Sequence, residues 1–168
     1  ANPPRTYDEL FAWSEAMTQR SDNGALLQVG YTPFGMMGYP DVASIVSGQP
    51  YFDGDSLKYS LTSEPILDLF RQEKRFYDFY GPETMADFAN SFSGQPIADP
   101  VNAGKTGLWT TGSWGPGSLE LNAVEGMTWS VGYHIDATEK GENPFFAGIN
   151  TMMLLKGGDA DKAWPFLK

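Results

Sequence analysis

An α/β domain is the fold this sequence predicts, and three observations predict it. Short apolar runs of strand length alternate with longer stretches whose apolar residues recur at helical spacing, as expected of a small α/β sandwich. Three loops rich in glycine and aromatic residues follow or flank those apolar runs, and in open α/β sheets ligands gather at strand ends. The chain has 168 residues, 41% of them hydrophobic and 19% charged, enough for one domain with a packed core.

The elements follow in chain order. Thr6-Tyr7-Asp8-Glu9 is a capping box, with Thr6 as N-cap and Glu9 reaching back. Leu10, Trp13 and Met17 recur at helical spacing, which places Trp13 in the core and ends the helix near Gln19. After the turn cluster Ser21-Asp22-Asn23-Gly24, residues 25–29 read as a short buried strand. It empties into Gly30-Tyr31-Thr32-Pro33-Phe34-Gly35, where Tyr31 and Phe34 are aromatic candidates for exposure. Residues 33–47 read as a helix that begins irregularly and improves over 41–47, and 48–55 as a turn-rich connector. Ser63 should cap the longest helix, with Ile66, Leu69, Phe70, Phe76, Tyr77 and Tyr80 as its apolar face. Arg71, Lys74 and Arg75 fall nearer solvent, and Gly81-Pro82 stops the helix. Residues 83–92 read as another helix, and 93–103 as a loop long for a compact domain. An apolar strand over 106–111 then runs through a glycine-rich turn into a helix. Further strands are expected over 127–135, with Trp129, Val131 and Tyr133 on one face, and over 149–155. A last helix should start at Asp159 or Ala160.

The bulk properties exclude several function classes. A formal net charge of -10 repels phosphate backbones, so no nucleic-acid partner is expected. The absence of cysteine excludes disulfides and thiolate metal sites. The single histidine, His134, cannot build a zinc site, and no serine motif pairs with it. Asp53-Gly54-Asp55 has the opening spacing of a calcium loop but lacks the closing glutamate, so neither a metal nor a cofactor is expected. No apolar run is long enough to span a bilayer. The chain opens on Ala1-Asn2-Pro3-Pro4 and stops inside an apparent helix at Phe166-Leu167-Lys168, so a lobe cut from a longer protein is expected.

The stretch from Gly104 to Leu119 organises the rest. Trp114 stands at its strand-to-helix junction, beside Gly112 and Ser113. Unpaired N–H groups at a helix start can bind hydroxyls or anions. An indole plate beside polar donors suits a sugar ring, which has a C–H face and a hydroxyl rim. Gly104-Lys105-Thr106 resembles the end of a P-loop, but Asp99 occupies the position of its first glycine, and a strand rather than a helix follows. Trp109, inside the strand, reads as core. Trp114, flanked by glycine and serine in a turn, is open to either reading, core or ligand contact.

The order of these segments resembles the extracellular solute-binding proteins of ABC carbohydrate importers, the maltose-binding-like group. Thr6-Tyr7-Asp8-Glu9-Leu10 resembles that family's helix start, and Gly54 to Thr62 with the Ser63 helix resembles its segment leading into a long helix. Gly104-Lys105 to Trp114 is similar to its glycine-lysine to tryptophan stretch, with Ser113 in place of the usual proline. Asn143 to Lys156, then Asp161-Lys162-Ala163-Trp164-Pro165-Phe166-Leu167, is similar to its closing loop, strand and helix, although Pro165 falls inside that helix.

The resemblance implies one lobe of a periplasmic-binding-protein-like (type II) fold, a small mixed sheet flanked by helices. Residues 1–168 would form the second lobe alone, with the first lobe and closing helices elsewhere. It implies capture of a sugar or oligosaccharide between two lobes, delivery to an ABC permease, an extracytoplasmic location and no catalysis. It implies stacking by Trp114, an aromatic contact from Tyr31 and next Phe34, and backbone contacts near Gly112, Ser113, Ala147 and Gly148. Apolar surface left bare by the absent parts would favour self-association. Two other classes compete: a self-sufficient lectin-like module, which needs no second lobe, and a glycosidase, for which no carboxylate pair stands in an aromatic-lined motif.

Overall fold

A computed structural model describes residues 3–33, 40–95, 97, 99–132, 135, 159, 161, 162 and 165. The elements, in order, are α1 (Tyr7–Met17), β1 (Gln19–Arg20), β2 (Leu26–Thr32), α2 (Pro40–Ser47), β3 (Phe52–Asp53), β4 (Lys58–Tyr59), α3 (Glu64–Tyr80), α4 (Pro82–Asn90), β5 (Thr106–Trp109) and α5 (Gly115–Asn122). The fold is mixed α/β, as expected: a small mixed sheet flanked by helices. The sheet runs β1-β2-β5, with β1 antiparallel to β2 and β2 parallel to β5, while β3 and β4 form a separate hairpin. No helix among the described residues is long and apolar enough to cross a membrane.

α1 starts where the capping box places it. Thr6 Oγ1 accepts from the Glu9 N–H, and the Glu9 carboxylate returns to the Thr6 N–H. The helix ends at Met17, two residues before the expected Gln19. Thr18 explains the difference: its backbone is extended, its hydroxyl donates to the Ser14 carbonyl at 2.6 Å, and it accepts the Gly30 N–H at 3.1 Å. The released Gln19 and Arg20 then pair with β2 as a short strand. α1 lies directly on β2, because a Cβ at Gly30 would stand 2.1 Å from the Ser14 carbonyl oxygen. Only glycine permits that approach.

α3 buries Ile66, Leu69, Glu73, Phe76 and Tyr80, so the expected face is present, with one buried carboxylate added. Tyr77 lies at its rim, 37% exposed. Ser63 occupies the N-cap position, but its side chain makes no capping bond, contrary to expectation; its carbonyl accepts the Leu67 N–H instead. Gly81, at φ 84°, closes α3 and opens α4 at Pro82. Arg71, Lys74 and Arg75 face solvent in ion pairs with acidic neighbours. Arg75 also covers the Phe11 ring at 3.9 Å, so it ties α3 to α1.

The core joins both layers: Leu10 of α1, Val29 and Tyr31 of β2, Val46 of α2, Leu69, Phe76 and Tyr80 of α3, and Phe88 of α4. One hydroxyl sits at its centre. Tyr80 Oη donates to the Tyr31 carbonyl at 2.9 Å and accepts the Tyr31 N–H at 3.1 Å. It also lies 2.5 Å from Ser14 Oγ. The single phenolic proton is committed to the Tyr31 carbonyl, so Ser14 is the donor in that pair. α1, β2 and the end of α3 therefore meet at one atom.

Two strand expectations fare differently. The apolar strand before Trp114 is present but shorter, Thr106–Trp109 rather than residues 106–111. Residues 127–132 form no strand, a correction to the expected alternation. A turn at 124–127, with Gly126 at φ 80°, leads into backbone that joins no sheet among the described residues, and Val131 is 74% exposed. Alternating apolar residues make a strand only where an edge is free to pair. Ile135 is buried in the core cluster. The expected strand over 149–155 and His134 lie outside the described residues. Asp161, Lys162 and Pro165 are helical, and Asp159 accepts the Lys162 N–H at 3.2 Å, as a helix start there requires.

Removing the central hydroxyl tests its role. Tyr80→Phe keeps the ring but leaves the Tyr31 amide and Ser14 Oγ without their buried partner. The expected cost is about 3 kcal/mol. Urea unfolding of the two proteins measures it, and a change under about 0.5 kcal/mol would contradict the assignment.

Candidate functional site

Because β2 and β5 are parallel, their C-terminal ends lie side by side. The register pairs Val29 with Thr106, Tyr31 with Leu108 and Thr32 with Trp109. The chain leaving β5 at this edge therefore carries Thr110, Thr111, Gly112, Ser113 and Trp114 before α5 begins. This edge is where an open α/β sheet offers a crevice.

Trp114 is 72% exposed, so of the two readings that its sequence context leaves open the core one does not hold. Its backbone is helical, φ -78° and ψ -18°, and it occupies the N-cap position of α5. A tight turn holds it: the Gly115 N–H donates to the Gly112 carbonyl at 3.0 Å, and the Ser118 N–H to the Trp114 carbonyl at 3.0 Å. The indole rests against Gly112. A Cβ there would fall 2.2 to 2.6 Å from Cζ3, Cη2 and Cε3 of the ring. Gly112 thus supplies the seat of the plate, and Ser113 beside it is exposed. Trp109, expected in the core, is only half-buried within β5 and stands outside the core cluster, which its neighbour Leu108 packs against.

Tyr31 is placed differently from expectation. It is 4% exposed, and its ring meets Phe76 edge to face with centroids 5.0 Å apart. As a second plate open to solvent, Tyr31 is therefore corrected to a core residue. Alternation along β2 turns the side chain inward under α3. Its hydroxyl lies 3.4 Å from Thr110 Oγ1, so it supports the segment that carries Gly112 and Trp114 from below. Tyr7 stands next to it. Burial above all, then the nearby Tyr31 and Glu73, pushes the Tyr7 phenol far above its ordinary range, so it stays neutral at any physiological pH. Phe34, Ala147 and Gly148 lie outside the described residues.

The start of α5 is poorer in free donors than its sequence suggests. Gly115 and Ser118 have spent their N–H groups within the turn, and Pro116 has none. Gly117 keeps its N–H open, as do Trp114 at the N-cap and Ser113 before it.

Elsewhere, the Asp53 loop holds itself together. The Asp53 carboxylate accepts the Asp55 N–H at 3.0 Å and the Ser56 hydroxyl at 2.5 Å, and these bonds lower its pKa. No group of three His, Asp or Glu side chains among the described residues could hold a metal. The end of the stretch read as a connector, together with the residues that follow it, forms the β3–β4 hairpin, which displays Tyr51, Phe52 and Tyr59, the last 70% exposed. Asp53-Gly54 between aromatic-containing runs was the available signal for that hairpin.

Gly112→Ala tests the seat. The added methyl must displace the indole, which has room to swing because it is exposed. Expected are a changed Trp114 indole N–H shift in a 1H–15N spectrum and a stability loss below about 1 kcal/mol. An unchanged indole signal would contradict the contact.

No family model and no curated protein matches the sequence. Among solved structures, the chain is similar to CpMnBP1 with mannobiose bound, at 25% identity and a TM-score of 0.57. The match covers 71% of this chain and 30% of CpMnBP1, so the chain spans less than a third of that protein's length in the shared fold.

Proposed function

We propose that this chain is the carbohydrate-binding second lobe of an ABC-importer solute-binding protein. The observation that carries the reading is the exposed Trp114 indole, seated on Gly112 at the C-terminal edge of the parallel strands. A plate of this kind matches the C–H face of a pyranose. The exposed Ser113 and the open Gly117 N–H give hydroxyls polar partners. The likeness to a protein solved with mannobiose supports a saccharide ligand, mannobiose being the first to try.

On this reading the lobe does no chemistry. It supplies half of a cleft whose other half is a first lobe, and the closed protein delivers sugar to a permease on the outer face of a cell membrane. The span of 30% of CpMnBP1 supports the half-cleft. Exposed Leu121 on α5, 84% accessible, and Val131 support self-association of this chain in the absence of that partner.

Titration calorimetry with mannobiose and a panel of neutral disaccharides tests the reading. Half a cleft should bind weakly, with Kd near or above about 1 mM. Trp114→Ala should weaken that binding by about tenfold, roughly 1.4 kcal/mol of lost stacking. Micromolar binding by this chain alone would contradict the half-cleft and favour a self-sufficient lectin. Binding indifferent to Trp114→Ala would contradict the site.

A further inference from the structure

We propose that Asn23 is a site of spontaneous deamidation, and that its isoaspartyl product releases the clasp by which Arg20 joins the β1–β2 turn to the end of α3. The inference goes beyond the saccharide reading and does not depend on it. Deamidation begins when the backbone nitrogen of the next residue attacks the side-chain carbonyl carbon of asparagine. Glycine at that next position leaves the approach open, because it has no Cβ and a permissive backbone. Among the asparagines of the chain, only Asn23 precedes glycine.

Three features of the turn favour the reaction there. Asn23 and Gly24 are both exposed, and a Cβ at Gly24 would meet nothing within 4 Å, so the attack is unshielded. Asn23 Oδ1 accepts the Ser21 hydroxyl at 2.5 Å and the Ala25 N–H at 3.4 Å, and both donors draw electron density away from Cγ. The nucleophile is restrained by one surface bond, from the Gly24 N–H to the Ser21 carbonyl at 2.9 Å, which opens in local fluctuations of the turn. The other pair of this kind, Asp53-Gly54, is held in its unreactive form. The Asp53 carboxylate accepts bonds from Ser56 and Asp55 that lower its pKa, and an ionised carboxylate resists an attacking amide anion.

In the reaction, the Gly24 nitrogen gives its proton to hydroxide and bonds to Asn23 Cγ. The Cγ–Nδ2 bond breaks, and ammonia leaves with a proton from water, which regenerates hydroxide. Water then opens the remaining succinimide ring. Opening at the side-chain carbonyl gives aspartate; opening at the main-chain carbonyl gives isoaspartate, whose backbone runs through Cβ. Isoaspartate therefore inserts one carbon between residues 23 and 24, about 1.5 Å of chain. The turn has no slack for it. Arg20 pairs with Leu26 across the hairpin, and the Ser21 N–H donates to the Ala25 carbonyl at 2.9 Å. The Arg20 guanidinium donates to the Gly24 carbonyl at 3.0 Å, and to the Phe79 and Tyr80 carbonyls of α3 at 3.0 and 3.1 Å. Displacing the Gly24 carbonyl removes one of three anchors and loosens the hold on the end of α3. Aspartate adds the same charge without the length and leaves the clasp in place.

The whole 168-residue chain, kept in warm, mildly alkaline buffer, tests the site by peptide mapping with mass spectrometry. Asn23 should be lost first, to a mixture of aspartate and isoaspartate, before any other asparagine converts and before Asp53 isomerises. Asn23 intact when another asparagine has converted, or isoaspartate at position 53 ahead of 23, would overturn the inference. Amide hydrogen exchange then compares the natural chain, its purified isoaspartyl form and Asn23→Asp. The Tyr80 and Gly81 amides should exchange at least about threefold faster in the isoaspartyl form, the weight of one hydrogen bond to a charged group, and within about twofold of the natural rate in Asn23→Asp. Equal exchange in all three forms, or the same acceleration in Asn23→Asp, would overturn the clasp and the inference with it.

Discussion

The Tyr80 hydroxyl fixes the relation between layers on which the site depends. It is buried, and it bonds both the backbone N–H and the backbone carbonyl of Tyr31 as well as Ser14 Oγ. The contact of α1 with β2 at Gly30 is so close that no side chain fits, so α1 cannot shift to accommodate a different placement of α3. Arg20 reinforces the same corner: its guanidinium donates to the carbonyls of Gly24, Phe79 and Tyr80 and lies 5.8 Å from the Phe79 ring centroid. β2 is thereby held in position along its length. β5 follows, because its parallel register is read off β2. The loop carrying Trp114 leaves from that fixed edge, with Tyr31 beneath it. A core hydrogen bond and a surface indole are thus two ends of one mechanical argument.

At the junction, backbone chemistry decides how the indole is presented. Gly112 leaves space where the indole rests. The turn it begins uses up the first helix N–H, and Pro116 deletes the next. The outcome is an exposed apolar plate beside the exposed Ser113 and the open N–H groups of Ser113, Trp114 and Gly117. That combination suits ligands that offer many weak hydroxyl contacts and one flat C–H face.

Features governed by local chemistry were legible in the sequence. Thr6 and Glu9 announce a helix start because both halves of the capping bond lie within four residues. Gly81-Pro82 announces a helix boundary because one residue accepts positive φ and the next lacks a donor. The strand before Trp114 and the apolar stripe of α3 follow from periodicity. Features governed by distant partners were not legible. β1 exists because Thr18 turns back on Ser14 and meets Gly30. Residues 127–132 alternate like a strand but find no edge among the described residues. Tyr31 and Trp114 both read as aromatics in glycine-containing turns, yet β2 runs on through Tyr31 and buries it, while β5 stops short and leaves Trp114 outside. No local signal separates those two cases. The likeness to CpMnBP1 bears on the fold and not on the placement of these side chains.

The most direct measurement is a crystal structure of this chain grown with mannobiose at high concentration. The account predicts a pyranose ring lying parallel to the Trp114 indole at about 4 Å, with a sugar hydroxyl within hydrogen-bond reach of the Gly117 N–H. A sugar bound elsewhere while the indole stays bare, or an indole turned into the protein interior, would contradict it.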